Sequence, residues 1–283
     1  MIRRKLGWTG VDVPVIGQGT WHIEGSKEKE RRAIETLRAG IDLGMTHIDT
    51  AEMYGSGRAE ELVGEAIAGR RSEVFLVSKV LPSNASYKGT LSACERSLRR
   101  LRTDWLDLYL LHWPGSYPLS ETMRALEDLV AAGKIRFLGV SNFDVEGVQA
   151  AERGLKRQRL ACNQVLYNLH ERGIERKLIP YCKSREIAVV AYSPFDQERF
   201  PSPRSEGGRI LAEIGRRHGR TPRQVALNFL TRDPEVFAIP KASSPEHARE
   251  NSGGAGWELA PEEIAQIDAA FPAPDHDVPL AML

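Results

Sequence analysis

Eight short apolar stretches, each followed by a longer amphipathic one, run through a chain of 283 residues and together predict a (β/α)8 TIM barrel. The short stretches are rich in Val, Ile, Leu and Phe with few polar interruptions, which is how strands buried on both faces of a parallel sheet read. The length agrees, since about 250 residues is typical of that fold. A doubly wound open sheet shows the same alternation and is the main rival.

The elements follow in order. "IRRKLGWTGVDVPV" reads as two short strands around a turn at Trp8-Thr9-Gly10, a β-hairpin expected to cap the barrel bottom. The barrel strands are expected at "VPVIGQGT" (13–20), "MTHID" (45–49), "VFLVSK" (74–79), "LDLYLLH" (106–112), "IRFLGVS" (135–141), "ACNQVLY" (161–167), "IAVVAYS" (187–193) and "VFAIPK" (236–241). Helical periodicity fills the gaps, as in "EKERRAIETLRAGIDLG", "YKGTLSACERSLRRLR" and "LSETMRALEDLVAAG". The last ends in Gly133, suited to a helix C-terminus. The stretch "DQERFPSPRSEGG" (196–208) has the composition of a flexible loop, and the tail "FPAPDHDVPL" is expected to lie extended on the surface. No linker is long enough to divide the chain, so residues 1–283 are expected to form a single domain.

Composition narrows the function. Lys and Arg number 39 against 38 Asp and Glu, so no bulk field draws the chain to nucleic acid or to a membrane. Neither a signal peptide nor an apolar run of membrane-spanning length is visible. The three cysteines, Cys94, Cys162 and Cys182, lack metal-site spacing, and their odd number argues against a disulfide framework. These features suit a cytoplasmic, monomeric protein without a metal.

In a (β/α)8 barrel, chemistry gathers at the C-terminal strand ends. Strands two, three and four end in Asp49, Lys79 and His112, and Tyr54 stands on the loop after strand two. Singly, each has an ordinary explanation: a capping acid, a lysine reaching for water, a core histidine, a loop aromatic. All four on adjacent strands make a constellation. A phenol ordinarily titrates near pH 10, and a neighbouring ammonium is expected to lower that value toward neutrality. Asp49 can pair with Lys79 and spare it from being an unpaired buried cation. His112 can hydrogen-bond a bound carbonyl oxygen and orient it toward Tyr54. A tuned phenol acid beside a carbonyl needs a hydride donor, which implies a nicotinamide cofactor. A Schiff-base aldolase built on Lys79 is the rival chemistry, and it leaves the neighbouring motifs unused.

At these residues the sequence resembles the aldo-keto reductase superfamily over nearly its whole length, most closely bacterial members with short loops. "GQGTW", "HIDTAEMYG", "VSKV", "LLHWP", "GVSNF", "NQVLYN", "AYSPF" and "IPKASSPEHAREN" stand in that family's order and spacing. The resemblance implies an oxidoreductase that reduces aldehydes and ketones to alcohols, with catalytic residues Asp49, Tyr54, Lys79 and His112 and with Tyr54 as general acid. It implies that Ser141, Asn142 and Gln164 hold the nicotinamide carboxamide and that Tyr192 stacks on the ring. Gly19, Thr20 and Trp21 stand where the family's cofactor cleft begins, and Ser193, Pro194 and Phe195 lead into the loop over the pyrophosphate. Trp21 and Trp113 resemble walls of a substrate pocket that also includes Tyr54 and His112. Little chain follows residue 271, which suggests an open pocket and a small-molecule carbonyl substrate without narrow selection. A regulatory protein that keeps the cofactor site, as potassium-channel β subunits of the superfamily do, is the alternative.

The resemblance also implies NADP(H). Ser244-Pro245-Glu246 reads as an N-cap followed by proline at the first helical position, and a helix N-terminus suits an anion such as the adenosine 2′-phosphate. Lys241, Ser243, Glu250 and Asn251 match the family's adenosine-phosphate residues. His247 stands where Arg is usual, and Ala242 where a hydroxyl residue is commoner. An imidazole with an ordinary pKa near 6.5 gives less charge than a guanidinium at neutral pH. NADPH is therefore expected to be preferred, with NAD(H) usable.

Overall fold

The structure, a computed structural model, describes residues 1–283 except for the side chain of Glu198. Strands β1 (Arg3–Lys5) and β2 (Asp12–Pro14) pair antiparallel, with Lys5 opposite Asp12. Leu6 and Val13 beside them are wholly buried. Trp8, in the connecting turn, donates its indole N–H to the Leu160 carbonyl at 2.7 Å. Its backbone N–H reaches the Glu186 carbonyl at 2.9 Å. Both acceptors lie at strand starts, so the hairpin seals the N-terminal end of the barrel as expected.

The barrel strands are β3 (Gln18–Gly19), β4 (His47–Asp49), β5 (Phe75–Val80), β6 (Leu106–Leu111), β7 (Ile135–Ser141), β8 (Leu160–Leu166), β9 (Ala188–Tyr192) and β10 (Val236–Ala238). They are parallel and adjacent in chain order. Parallel bridges Ile16–Ala238 and Gly19–Lys241 join the first strand to the last and close the barrel. The seam demands glycine, because a Cβ at Gly19 would stand 2.6 Å from the Ile239 carbonyl.

Around the barrel run α1 (Lys27–Asp42), α2 (Arg58–Ala66), α3 (Tyr87–Leu101), α4 (Leu119–Ala131), α5 (Val145–Gly154), α6 (Leu178–Ser184), α7 (Glu206–His218), α8 (Pro222–Leu230), α9 (Pro245–Ser252) and α10 (Pro261–Ala270). Several start on a side chain that accepts a backbone N–H: Ser26, Ser86, Asp144, Ser205 and Ser244. Thr221 forms a reciprocal capping box with Gln224. Gly133 follows α4 at φ +70°, the left-handed turn anticipated for it.

Three expectations need correction. The run 13–20 is not one strand, since Asp12–Pro14 pairs with the hairpin while Ile16 and Gly17 already bond to Ala238 of the barrel. The last strand stops at Ala238, because Pro240 has no N–H for the ladder; Lys241 resumes the pairing as a single bridge. The stretch 196–208, expected as a loop throughout, already enters α7 at Glu206. Asp196 is 3% exposed, accepts from Arg199 at 2.8 Å and lies 2.9 Å from His170 Nδ1.

Side-chain period two decides what the interior holds. Phe75 and Val77 of β5 point inward, and so do Leu108 and Leu110 of β6, Cys162 of β8 and Ala188 and Val190 of β9. One further step of two along the same columns reaches Lys79, His112, Gln164 and Tyr192. Asp49, two residues after the buried His47, and Ser141, at the end of β7, complete the ring. The apolar interior therefore ends upward in a polar layer at the C-terminal rim. Gly139 lets β7 approach β8, since a Cβ there would sit 2.5 Å from the Cys162 carbonyl. The register shift beside it brings Ser141 opposite Gln164.

Candidate active site

At the rim, Lys79 lies with its side chain wholly buried and gives away all three of its protons. Its Nζ donates to Asp49 Oδ1 at 2.6 Å, to the Thr50 carbonyl at 2.9 Å and to Tyr54 Oη at 3.2 Å. Burial works against the ammonium, but Asp49 and then Tyr54 outweigh it and hold the pKa of Lys79 above the ordinary lysine value. Asp49 is held in turn: Gln164 Nε2 donates to its second oxygen at 2.7 Å, and Thr20 Oγ1 donates to its carbonyl at 2.8 Å. The pair is thus satisfied on every side, which a buried ion pair needs to persist.

Tyr54 opens a 3-10 turn, Tyr54–Gly57, beyond β4. Because Lys79 donates to the phenol oxygen, the Tyr54 O–H is left to point elsewhere. Its ring stands edge-on to His112, 5.8 Å between centroids at 73°. The expectation that Lys79 would lower the phenol's pKa is reversed in net effect. Burial pushes it above its ordinary value, Lys79 pulls it back only in part, and Asp49 adds to the rise. Tyr54 is therefore a neutral phenol at physiological pH.

His112 follows β6 and is 7% exposed. Burial first, and the Lys79 ammonium second, lowers its pKa to about 2, so the ring is neutral. Its Nδ1 is buried without a hydrogen-bond partner, which leaves the other nitrogen for the cavity. Asn142 locks the same corner, with Nδ2 on the His112 carbonyl at 3.1 Å and Oδ1 accepting from Tyr192 Oη at 2.8 Å. Burial raises the Tyr192 phenol to about 12, so it too stays a donor.

Apart from Lys79, these groups face one cavity of about 730 Å³ on the C-terminal face. Gly19, Thr20, Trp21, Asp49, Tyr54, His112, Trp113, Ser141, Asn142, Gln164, Tyr192, Ser193, Pro194, Phe195, Lys241 and Ser243 all line it. Trp21 is 37% exposed, so it is no core tryptophan. Four expected residues stand apart from the lining: the wholly buried Lys79 and three residues of α9. His247 is exposed at the third position of α9, its Nδ1 2.9 Å from Ser243 Oγ; Glu250 and the buried Asn251 lie further along the helix. Sequence reasoning missed His22, Met53, Gln197, Arg199, Ile239 and Leu283, which also line the cavity. The tail after Phe271 runs without helix or strand over the surface as expected, and its last residue, Leu283, reaches the cavity. No periodic signal marks such a segment. Backbone strain could have found part of the rim. Of the eight non-glycine residues at positive φ among the described residues, six (His22, Ser56, Asn142, Ser193, Asp196 and Gln197) sit in loops at this end, where strain tends to mark function. Among the described residues no cluster of His, Cys, Asp and Glu could hold a metal ion.

Comparison with known proteins places the chain among close relatives. The family model "Aldo/keto reductase family" matches residues 15–271. The chain is 45% identical over 284 residues to the methylglyoxal reductase YeaE of Escherichia coli (strain K12), with 100% of each chain covered. It is 36% identical to the glyoxal reductase of Bacillus subtilis (strain 168), covering 92% of this chain and 90% of that one. A crystal structure of an aldo-keto reductase from Klebsiella pneumoniae in complex with NADPH superposes with a TM-score of 0.94 at 45% identity, covering 100% of both chains.

Proposed function

Because the chain belongs to the aldo/keto reductase family, we propose that it reduces small, uncharged aldehydes, ketones and dicarbonyls with NADPH, Tyr54 acting as the general acid. The observation that carries this reading is the single ammonium of Lys79 bonded at once to Asp49 and to the Tyr54 phenol, with a neutral His112 across the ring. The cavity fits a dinucleotide: one end is aromatic and polar around Tyr192 and Gln164, and the other reaches Lys241, Ser243 and the N-terminus of α9. A nicotinamide held there would supply the hydride for the carbonyl carbon. Gln164 keeps its Oε1 free once Nε2 serves Asp49, and with Ser141 and Asn142 it suits a carboxamide.

The protein's own part is proton delivery and alignment. The substrate oxygen accepts hydrogen bonds from the Tyr54 O–H and from a nitrogen of His112. As negative charge grows on that oxygen, the Tyr54 proton crosses to it. The phenolate left behind is stabilised by the Lys79 ammonium, whose position Asp49 and Gln164 fix. The raised pKa of Tyr54 keeps the proton in place until charge develops, so the site is loaded at neutral pH. Trp21, Met53, Trp113 and Leu283 enclose the substrate end with apolar surface, and the lining cations Lys241 and Arg199 belong to the cofactor end and the loop after β9. That arrangement favours neutral carbonyl compounds over carboxylate-bearing ones. Since the relatives include a methylglyoxal reductase and a glyoxal reductase, these two dicarbonyls head the panel.

The test follows NADPH absorbance with methylglyoxal, glyoxal, aromatic aldehydes and sugars, for the wild type and Tyr54→Phe. Turnover that falls by roughly 10² to 10⁴ in the variant, with NADPH affinity unchanged, supports the reading. Activity within a few-fold of wild type sinks it. Tight NADPH binding with no turnover on any carbonyl would favour the regulatory alternative.

A further inference from the structure

The far end of the cavity holds more positive charge than its own strand and helix supply. Lys241 sits on the closing seam of the barrel, paired with Gly19. The N-terminus of α1 comes to the same place. Lys29, in the first turn of α1, folds back over the preceding turn, so that a Cβ at Gly25 would lie 3.6 Å from its Nζ. It is exposed, one turn before the buried Ala33 of α1. Helices α1 and α9 pack side by side, and both begin at the C-terminal rim. The two helix N-termini therefore converge around Lys241.

Neither lysine makes an ion pair among the described residues. The acids of the first turn of α1 are engaged elsewhere: Glu28 with Arg31 and Glu30 with Arg58, each at 2.7 Å. Glu24 is near Lys241 but leans toward His22, 3.6 Å away. A cation in the first turn of a helix opposes the helix dipole, and two ammonium groups in one corner repel. Burial and then Lys29 lower the pKa of Lys241, against Glu24. Such a corner is unfavourable by itself and becomes favourable when a multiply charged anion lies between the groups.

We infer that Lys29 is a second ammonium for the adenosine 2′-phosphate of NADP(H), reaching it from α1 while Lys241, Ser243 and His247 reach it from the other side. The inference rests on the NADP(H) reading of the cavity and adds a specificity-determining residue to it. Since Lys29 is solvent-exposed, its share is that of a partly screened charge-assisted contact, roughly fivefold to twentyfold in affinity. The residue senses the 2′-phosphate alone, so it separates NADPH from NADH.

The experiment measures dissociation constants of NADPH, NADH and adenosine 2′,5′-bisphosphate by quenching of protein fluorescence, without substrate. Lys29→Met and the control Lys27→Met are compared with wild type. Lys27 is an exposed lysine of the same first turn on another helix face. The expected result is weaker binding of NADPH and of the bisphosphate in Lys29→Met by about fivefold to twentyfold, unchanged NADH, Lys27→Met at wild-type values, and recovery in Lys29→Arg. Equal weakening of NADPH and NADH would move Lys29 to the pyrophosphate and overturn the assignment. Equal effects of both methionine variants would reduce it to bulk charge and overturn it too. If wild type itself bound NADPH no better than NADH, the NADP(H) reading would fail before Lys29 is reached.

Discussion

Removing Lys79 tests the catalytic core as a structural device as well as a chemical one. In Lys79→Met the Asp49 side chain, only 2% exposed, keeps its bond from Gln164 but loses the 2.6 Å partner on its other oxygen. Breaking one side of a buried pair costs about 3 to 5 kcal/mol, so the variant should lose that much stability at pH 7 or above. The sign with pH follows from the stranded acid. Burial already raises the folded pKa of Asp49 above its ordinary value against the pull of Lys79; without the ammonium it rises further, so the carboxyl favours the fold only while protonated. The deficit should be smallest below the unfolded carboxyl range and grow by about 1.4 kcal/mol per pH unit until pH passes the folded pKa. Urea unfolding of wild type, Lys79→Met, Asp49→Asn and the double variant at pH 5 and pH 8 gives the comparison. The double variant, with neither charge, should recover most of the single loss, because neutral replacement of both partners is often near break-even. Losses that simply add, or a deficit in Lys79→Met that is the same at both pH values, would refute the coupling.

Other expectations follow from the same geometry. His47 is wholly buried, with burial and then Lys79 lowering its pKa to about 3, so its contribution to stability is present above pH 6.5 and drains away as pH falls toward 3. His47→Leu should therefore remove about 1.4 kcal/mol per pH unit from the acid limb of the stability curve, read by urea midpoints between pH 4.5 and pH 6.5; an unaltered slope counts against it. His112→Ala should depress turnover for every carbonyl while sparing NADPH affinity, whereas Trp113→Ala should reorder the substrates. If both changes only weakened cofactor binding, the substrate end is misplaced. His247→Arg should raise the NADPH-over-NADH ratio of kcat/KM by about one to two orders of magnitude, mainly through KM, since a guanidinium carries a permanent charge. An unchanged ratio would show that position 247 does not touch the phosphate.

Most of this site is legible in the chain alone. Asp49, Lys79 and His112 end adjacent strands, and period two carries each inward above an apolar column, so a strand-end residue of a closed barrel has one place to go. Ser244 and Pro245 likewise announce the start of α9 through local backbone chemistry. Such features depend on a handful of neighbouring residues, and the chain states them directly. Other features depend on what the barrel brings together. Gln164 orients Asp49 from 115 positions away, and only closure of the barrel makes them neighbours. The net rise of the Tyr54 pKa was out of reach because it is a contest between burial and a single ammonium, and burial belongs to the whole packed chain. Leu283 reaches the cavity along a path set by packing against distant elements, with no periodic pattern to betray it. The sequence by itself determined which side chains face the rim, through strand period and helix caps; tertiary structure decided their protonation, their partners and the shape of the pocket, because desolvation and long-range contact exist only once the barrel has closed.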